Sequence, residues 1–434
     1  MFWKRKEKKE NKSTDTKETS LVKTDNGKVT GSEKVRRALK VRFALEQEPK
    51  VDMYFYRIYR KLRLVRYACV LFAALFVMSV PMVYSDQITT ENFKYLLKYI
   101  DMQLSEDTEL YSEFAYEASD NMQFGVYAED IVVCTDTGLV YYDKLGNESF
   151  RASFGPYKNA QLLISDKYVM VYDRGGKEYV IFNSFKRVHR ATSEYPITLC
   201  ALSDSGRYAV LSSNRNYIAE LTVYSANFQQ MNRVQKDMYI SSVFFHDETD
   251  EFGYTGFTTD EKGGKFGEIC YYDMQSKKTV GIISDDIPLN SAISENQVRV
   301  LYADSVVWYS RKGEEKKVYS FTSSPASYCY SPGKLAVCTQ DKAEGMYGCI
   351  QIIGVDTEKN LKIPLQDTIH RTNWHEGNFY CIGNQQIQRI DAKGNSICVP
   401  ISENALDLIF LPSNQMMVCY PDRTEFISFS ETVA

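Results

Sequence analysis

The stretch Ser203-Asp204-Ser205-Gly206-Arg207-Tyr208-Ala209-Val210-Leu211 sets a tight polar turn against a short run of residues that favour extended backbone. The same construction returns at Ser165-Asp166-Lys167-Tyr168-Val169-Met170-Val171 and at Ser331-Pro332-Gly333-Lys334-Leu335-Ala336-Val337. A second landmark is an aromatic or aliphatic run that ends in a polar hairpin. It occurs as Val140-Tyr141-Tyr142-Asp143-Lys144-Leu145-Gly146, Met170-Val171-Tyr172-Asp173-Arg174-Gly175-Gly176, Cys270-Tyr271-Tyr272-Asp273 and Gln388-Arg389-Ile390-Asp391-Ala392-Lys393-Gly394, and more loosely as Val307-Trp308-Tyr309-Ser310-Arg311-Lys312-Gly313. Asp and Gly fall where a turn between antiparallel strands needs them.

Laid end to end, these landmarks define units that start near Asn121, Tyr157, Tyr195, Asp237, Ile287, Ser324, Thr368 and Asn404. A spacing of roughly 36 to 50 residues suits a four-stranded propeller blade. The expectation is therefore an all-β fold over 121–434, a β-propeller of seven or eight four-stranded blades, with eight the better count. The last unit has room for three strands, Leu406–Leu411, Met416–Tyr420 and Thr424–Phe429. A strand from Tyr111–Ala118 would complete it and leave no open edge.

Upstream the character changes. Tyr67–Tyr84 is eighteen residues without a formal charge, and the cations Arg57, Arg60, Lys61, Arg63 and Arg66 stand directly before it. A helix rises about 1.5 Å per residue, so this stretch is expected to be a single transmembrane helix, 67–84, acting as an uncleaved signal anchor. By the positive-inside rule, residues 1–66 form a basic cytoplasmic tail and the rest lies outside the cell membrane. The 66 preceding residues exceed any signal-peptide n-region. Met1–Ser32 is polar and lysine-rich and should be disordered, and a juxtamembrane helical pattern follows from about Glu33. Segment 85–120 reads as a short amphipathic helix, with Phe93, Leu96, Leu97 and Ile100 at helical spacing, and then a connector.

Charge divides at the same place. Met1–Arg66 carries 12 Lys and 8 Arg against 9 acids, net +11; subtraction from the totals leaves 32 cations and 47 acids, net −15. A basic tail is drawn to anionic lipid, whereas an acidic ectodomain speaks against nucleic acid. Ten cysteines are present; Cys69 falls in the apolar stretch, and Cys134, Cys338 and Cys419 sit in strand-like runs. Buried free thiols fit that placement best, and a few disulfides remain the alternative. Asn147-Glu148-Ser149 matches a glycosylation sequon, but a hairpin turn explains it better.

The turn-and-strand motif resembles blades of the propeller superfamily that includes TolB-like, WD40-like and quinoprotein-like repeats. The basic tail, anchor, Thr90–Ile100 helix and Tyr- and Phe-rich blades resemble a Gram-positive bacterial family of signal-anchored, β-propeller-like proteins, a domain of unknown function. That resemblance implies architecture and no activity. The residues themselves offer no catalytic, cofactor or metal site. His246 and His375 lack zinc-ligand spacing, Asp247–Glu251 lacks the ligand alternation of a calcium loop, and Gly263-Gly264-Lys265 is no phosphate loop. The expected function is non-enzymatic: an extracytoplasmic propeller that binds envelope proteins, peptides or glycans. The alternative is a cell-envelope carbohydrate hydrolase or lyase that places carboxylates in the central funnel.

Overall fold

The computed structural model describes residues 53–83 and 111–429, less the short loop segments 248–249, 260–262, 274–278, 294–296, 322, 332–333, 340–346, 355–359 and 413–414. The expected disordered tail, the helix over 33–52 and the amphipathic helix of 85–110 lie outside the described residues. Contacts divide the chain into two units, Met1–Ile88 and Thr89–Ala434.

In the first unit, helix α1 runs Met53–Val83. Among the described residues no helix is long and apolar enough to cross a membrane. Of the charge-free stretch, side chains are described only for Tyr67–Phe76, ten residues where a span needs about 20. Those side chains are exposed, with Phe72 at 74% and Leu71 at 62%.

The second unit consists of eight antiparallel sheets met in chain order. Blades 1 to 7 span Gln123–Ser153, Ala160–Thr192, Ile197–Lys236, Tyr239–Ser284, Asn290–Ser320, Pro325–Pro364 and Ile369–Pro400, four strands each. Blade 8 has three strands, Asp407–Phe410, Met416–Cys419 and Thr424–Ile427. Its fourth comes from the start of the unit. Ala115 bridges to Arg423 antiparallel, the Tyr116 N–H donates to the Asp422 carbonyl at 3.0 Å, and the Thr424 N–H donates to the Phe114 carbonyl at 2.9 Å. The ring thus has eight blades, closed by residues that precede the first of them.

Sequence pattern explains the layering. Second strands such as Asp130–Cys134 (DIVVC) and Tyr208–Ser212 are buried at every position, because both of their faces meet a neighbouring blade. Fourth strands such as Glu148–Ser153 alternate and face solvent. The period of two divides one strand between two seams: Val169 and Val171 pack toward blade 1, Met170 and Tyr172 toward blade 3. Eight separate apolar clusters fill the eight seams, including the one between blades 8 and 1. All ten cysteines are free; seven are buried in the blades, among them Cys134, Cys338 and Cys419.

The two sequence landmarks map differently. The Ser165, Ser203 and Ser331 copies all lead from a first strand into a second. The hairpin landmark mixes two positions: in blades 1, 4, 5 and 7 it closes the third strand, whereas Met170–Gly176 closes the second strand of blade 2. At Asp143 and Asp391 the third-strand turn is built alike, with Oδ1 accepting from the backbone N–H two and four residues on at 2.8–2.9 Å. Asn147 of the sequon lies in this turn.

Candidate functional site

Strand order puts the first strand of every blade at the axis, and these strands touch their neighbours around the ring. Polar side chains tie them together. Gln123 Nε2 donates to the Ala160 carbonyl at 2.6 Å and Gln123 Oε1 accepts from the Leu162 N–H at 2.9 Å; Asn290 Nδ2 donates to Tyr328 Oη at 2.8 Å; Ser327 Oγ and Thr372 Oγ1 lie 2.8 Å apart. Antiparallel connection then places every first-to-second turn at one end of this axis.

At that end the turns of blades 2, 3 and 4 are chained by carboxylates. Asp247, in the turn of blade 4, accepts from Ser203 Oγ at 2.7 Å, the Asp204 N–H at 2.9 Å, Ser205 Oγ at 2.8 Å and Arg207 Nη2 at 2.7 Å, all in the turn of blade 3. Arg207 Nη1 also pairs with Asp250. Burial pushes the Asp247 carboxyl up, but the guanidinium and the two serine hydroxyls outweigh it and hold the pKa at about 2. Asp204 moves the other way: burial raises it first, and the Asp166 and Asp247 charges add to that, against a hydrogen bond from the Asp166 backbone. Asp247, in a stretch that the sequence marks only as unlike a calcium loop, thus joins two blades.

Beside this chain of turns a cavity of about 680 Å³ opens between blades 1 and 2. Its exposed lining is mainly polar, with Asp166 and Asp204 as an acidic rim beside Phe124, Val126, Leu162 and Ile164, whose side chains pack into the adjoining seams. Blade 1 approaches closely here: a side chain at Gly125 would fall 2.3 Å from Ile164 Cδ1. The mouth suits a cationic or hydrogen-bonding group.

None of the acids at this mouth was singled out as functional in the sequence, although Asp166 and Asp204 stand inside the turn landmarks. The signal available was density, two hydroxyls, an acid and an arginine within Ser203–Arg207. Arg60, Lys61, Arg63 and Arg66 lie on helix α1, where Arg63 Nε donates to Tyr67 Oη at 3.3 Å; Arg57 is helical too, but its side chain lies outside the described residues. His375 stacks on Phe410 with centroids 4.3 Å apart, and His246 lies opposite Glu251 in the hairpin of blade 4. Among the described residues, no group of three or more His, Cys, Asp or Glu could hold a metal ion.

Strand order, closure and seams define an eight-bladed β-propeller. The chain belongs to a family of unknown function, DUF5711, whose pattern matches residues 101–429. Among solved structures it is similar to Sqt1 of Saccharomyces cerevisiae, with TM-score 0.56, 10% identity, and coverage of 73% of this chain and 98% of that one. It also matches the Pan2 WD40 domain of Neurospora crassa (TM-score 0.44, 12% identity, 63% and 91% coverage) and BamB of Moraxella catarrhalis (0.42, 12%, 64% and 84%). The likeness to Sqt1 extends to the fold alone. No curated protein matches the sequence.

Proposed function

We propose that this protein is a single-pass membrane protein that holds an extracytoplasmic propeller as a binding module for envelope proteins, peptides or glycans. One observation carries the binding reading: the closed ring presents a cavity of about 680 Å³ with a mainly polar lining and an acidic rim at its turn-side mouth. Rigid blades hold such a mouth without dedicated chemistry. Membrane attachment is supported by the charge-free Tyr67–Tyr84, the cations before it and the exposed apolar side chains of α1, including Leu75 and Phe76. In-cell crosslinking from a photoreactive residue at position 166, followed by mass spectrometry, is expected to recover a discrete envelope partner. Labelling of intact cells is expected to reach Lys334 and miss Lys4. A crosslink pattern identical to that from exposed Lys158 would remove the mouth from the reading, and labelling of Lys4 alone would reverse the topology.

A carbohydrate hydrolase or lyase is the second reading, because Asp166 and Asp204 share the cavity rim and Asp204 is shifted toward the protonated form. It requires glycan turnover that Asp204→Asn abolishes. Unchanged turnover in that variant would remove it.

A further inference from the structure

The seam between blades 2 and 3 is only partly filled. Toward the axis it is filled by Met170, Ile181, Tyr208 and Val210, but toward the rim it opens as a groove of about 340 Å³. The third strand of blade 3, Ala219–Tyr224, turns Glu220, Thr222 and Tyr224 into it, while Leu221 and Val223 serve the next seam. Rings gather at one end: Tyr208 stacks on Tyr224 with centroids 4.8 Å apart, and His189 on Phe228 at 4.5 Å with planes 2° apart. Burial pushes the His189 imidazole down, disfavouring its charged form.

The Glu220 and Arg233 charges are satisfied internally, while Glu194, exposed, lines the groove without an ion pair among the described residues. Glu220, buried, accepts from Asn214 Nδ2 at 2.6 Å, Arg233 Nη2 at 2.6 Å and Gln235 Nε2 at 2.8 Å. The neutral polar groups are not held in this way. Thr192, Ser193, Thr222 and Gln230 make no side-chain hydrogen bond among the described residues. The buried Tyr208 hydroxyl lies near that of Tyr179 yet meets no partner at hydrogen-bond geometry.

Phe228 adds an independent observation. It occupies the fourth position of the third-strand turn Ser225–Gln229, where three other blades carry Gly146, Gly313 and Gly394 at φ 77°, 87° and 90°. Phe228 holds φ 64°, a conformation unfavourable for a bulky residue. The strain places an aromatic ring on the groove wall where the fold by itself calls for glycine.

We infer that this groove binds a short stretch of a neutral oligosaccharide, with its hydroxyls on Thr192, Ser193, Thr222 and Gln230 and its apolar faces on the His189–Phe228 and Tyr224 rings. Arg233 is held by Glu220 and so leaves no free guanidinium for an anionic ligand, and free hydroxyl and amide groups beside aromatic faces match a polyhydroxylated one. This rests on the reading of the propeller as a binding module and names a second mouth and its ligand class.

The test is calorimetric titration of the full-length chain with cellotetraose, maltotetraose and chitotetraose. At least one should saturate, with affinity at least tenfold weaker in Phe228→Gly and in Thr222→Val and unchanged in Thr137→Val, which lies outside the groove in the turn between the second and third strands of blade 1. Phe228→Gly restores glycine to the turn and removes a ring packed on the seam; its melting curve should show it folded at the titration temperature, so that lost binding there is not lost folding. Failure of all three sugars to saturate below about 10 mM, or equal affinity in Phe228→Gly, overturns the inference, as does binding in the groove of a lysine-rich peptide instead. If the sugars fail while crosslinking at position 166 still recovers a partner, only this inference falls; if both fail, the binding-module reading falls with it.

Discussion

Blades 2 and 8 hold the same place in the ring and are assembled in opposite ways. Blade 2 is one uninterrupted stretch, Ala160–Thr192, whose four strands pair by short hairpins. Blade 8 takes its outer strand from residues 310 positions away, and little of that pairing is a regular ladder. Side chains replace it. Gln415 Oε1 accepts from the Tyr111 N–H at 3.0 Å, Thr424 Oγ1 from the Phe114 N–H at 3.1 Å and Glu113 Oε1 from the Phe426 N–H at 2.8 Å. Rings then bind the strand to blade 1: Phe114 stacks on Tyr142 at 4.5 Å and Tyr116 approaches Phe124 at 5.7 Å. Where the backbone cannot zip from a neighbouring turn, aromatic packing and side-chain acceptors close the ring.

That contrast sets the order of the expected effects. Tyr116→Ala removes a ring from the closing seam and a hydroxyl that donates to the Tyr420 and Arg423 carbonyls. It should cost about 3 kcal/mol in urea unfolding, whereas Val188→Ala in the outer strand of blade 2 should cost about 1 kcal/mol. Equal costs would mean that the two blades close alike. Next comes Arg207→Ala, which strands Asp247 and Asp250 without their cation and should cost about 2 to 3 kcal/mol by the same measurement.

The acid limb of the stability profile probes the same turns. Asp247 has a folded pKa of about 2, below its unfolded value, so its contribution is present above pH 4 and is lost as pH falls toward 2. Allowing for the solvent that reaches it, about 1 to 2 kcal/mol should disappear over that interval and be absent from Asp247→Asn. Smallest is the third-strand turn: Gly394→Ala, at φ 90°, should lose about 1 kcal/mol, while Phe228→Gly should gain a fraction of that. A loss in Phe228→Gly would mean that its ring stabilises the seam more than its backbone strains it.

Much of the ring was legible because blade starts carry local chemistry. Units expected near Tyr157, Tyr195 and Asp237 correspond to first strands beginning at Ala160, Ile197 and Tyr239, since each opens with a polar link and then β-branched residues. The completion of blade 8 by the Tyr111–Ala118 segment followed from three strands lacking an edge partner. Seams were not legible. Asp247 and Ser203 are 44 residues apart, and nothing in either turn announces its partner until the blades stack. The groove of blades 2 and 3 arises the same way, from one face of a strand whose other face is ordinary core. Phe228 could have been noticed, as the one large residue where sister turns hold glycine.

Residues before the first blade complete the last. Cysteines placed at the bridged pair, Ala115→Cys with Arg423→Cys, test this closure directly when peptides of the oxidised full-length chain are mapped by mass spectrometry. A disulfide-linked pair of peptides carrying positions 115 and 423 is expected, with a higher unfolding midpoint than the reduced form. Separate alkylation of the two positions in the folded, oxidised protein would contradict this closure.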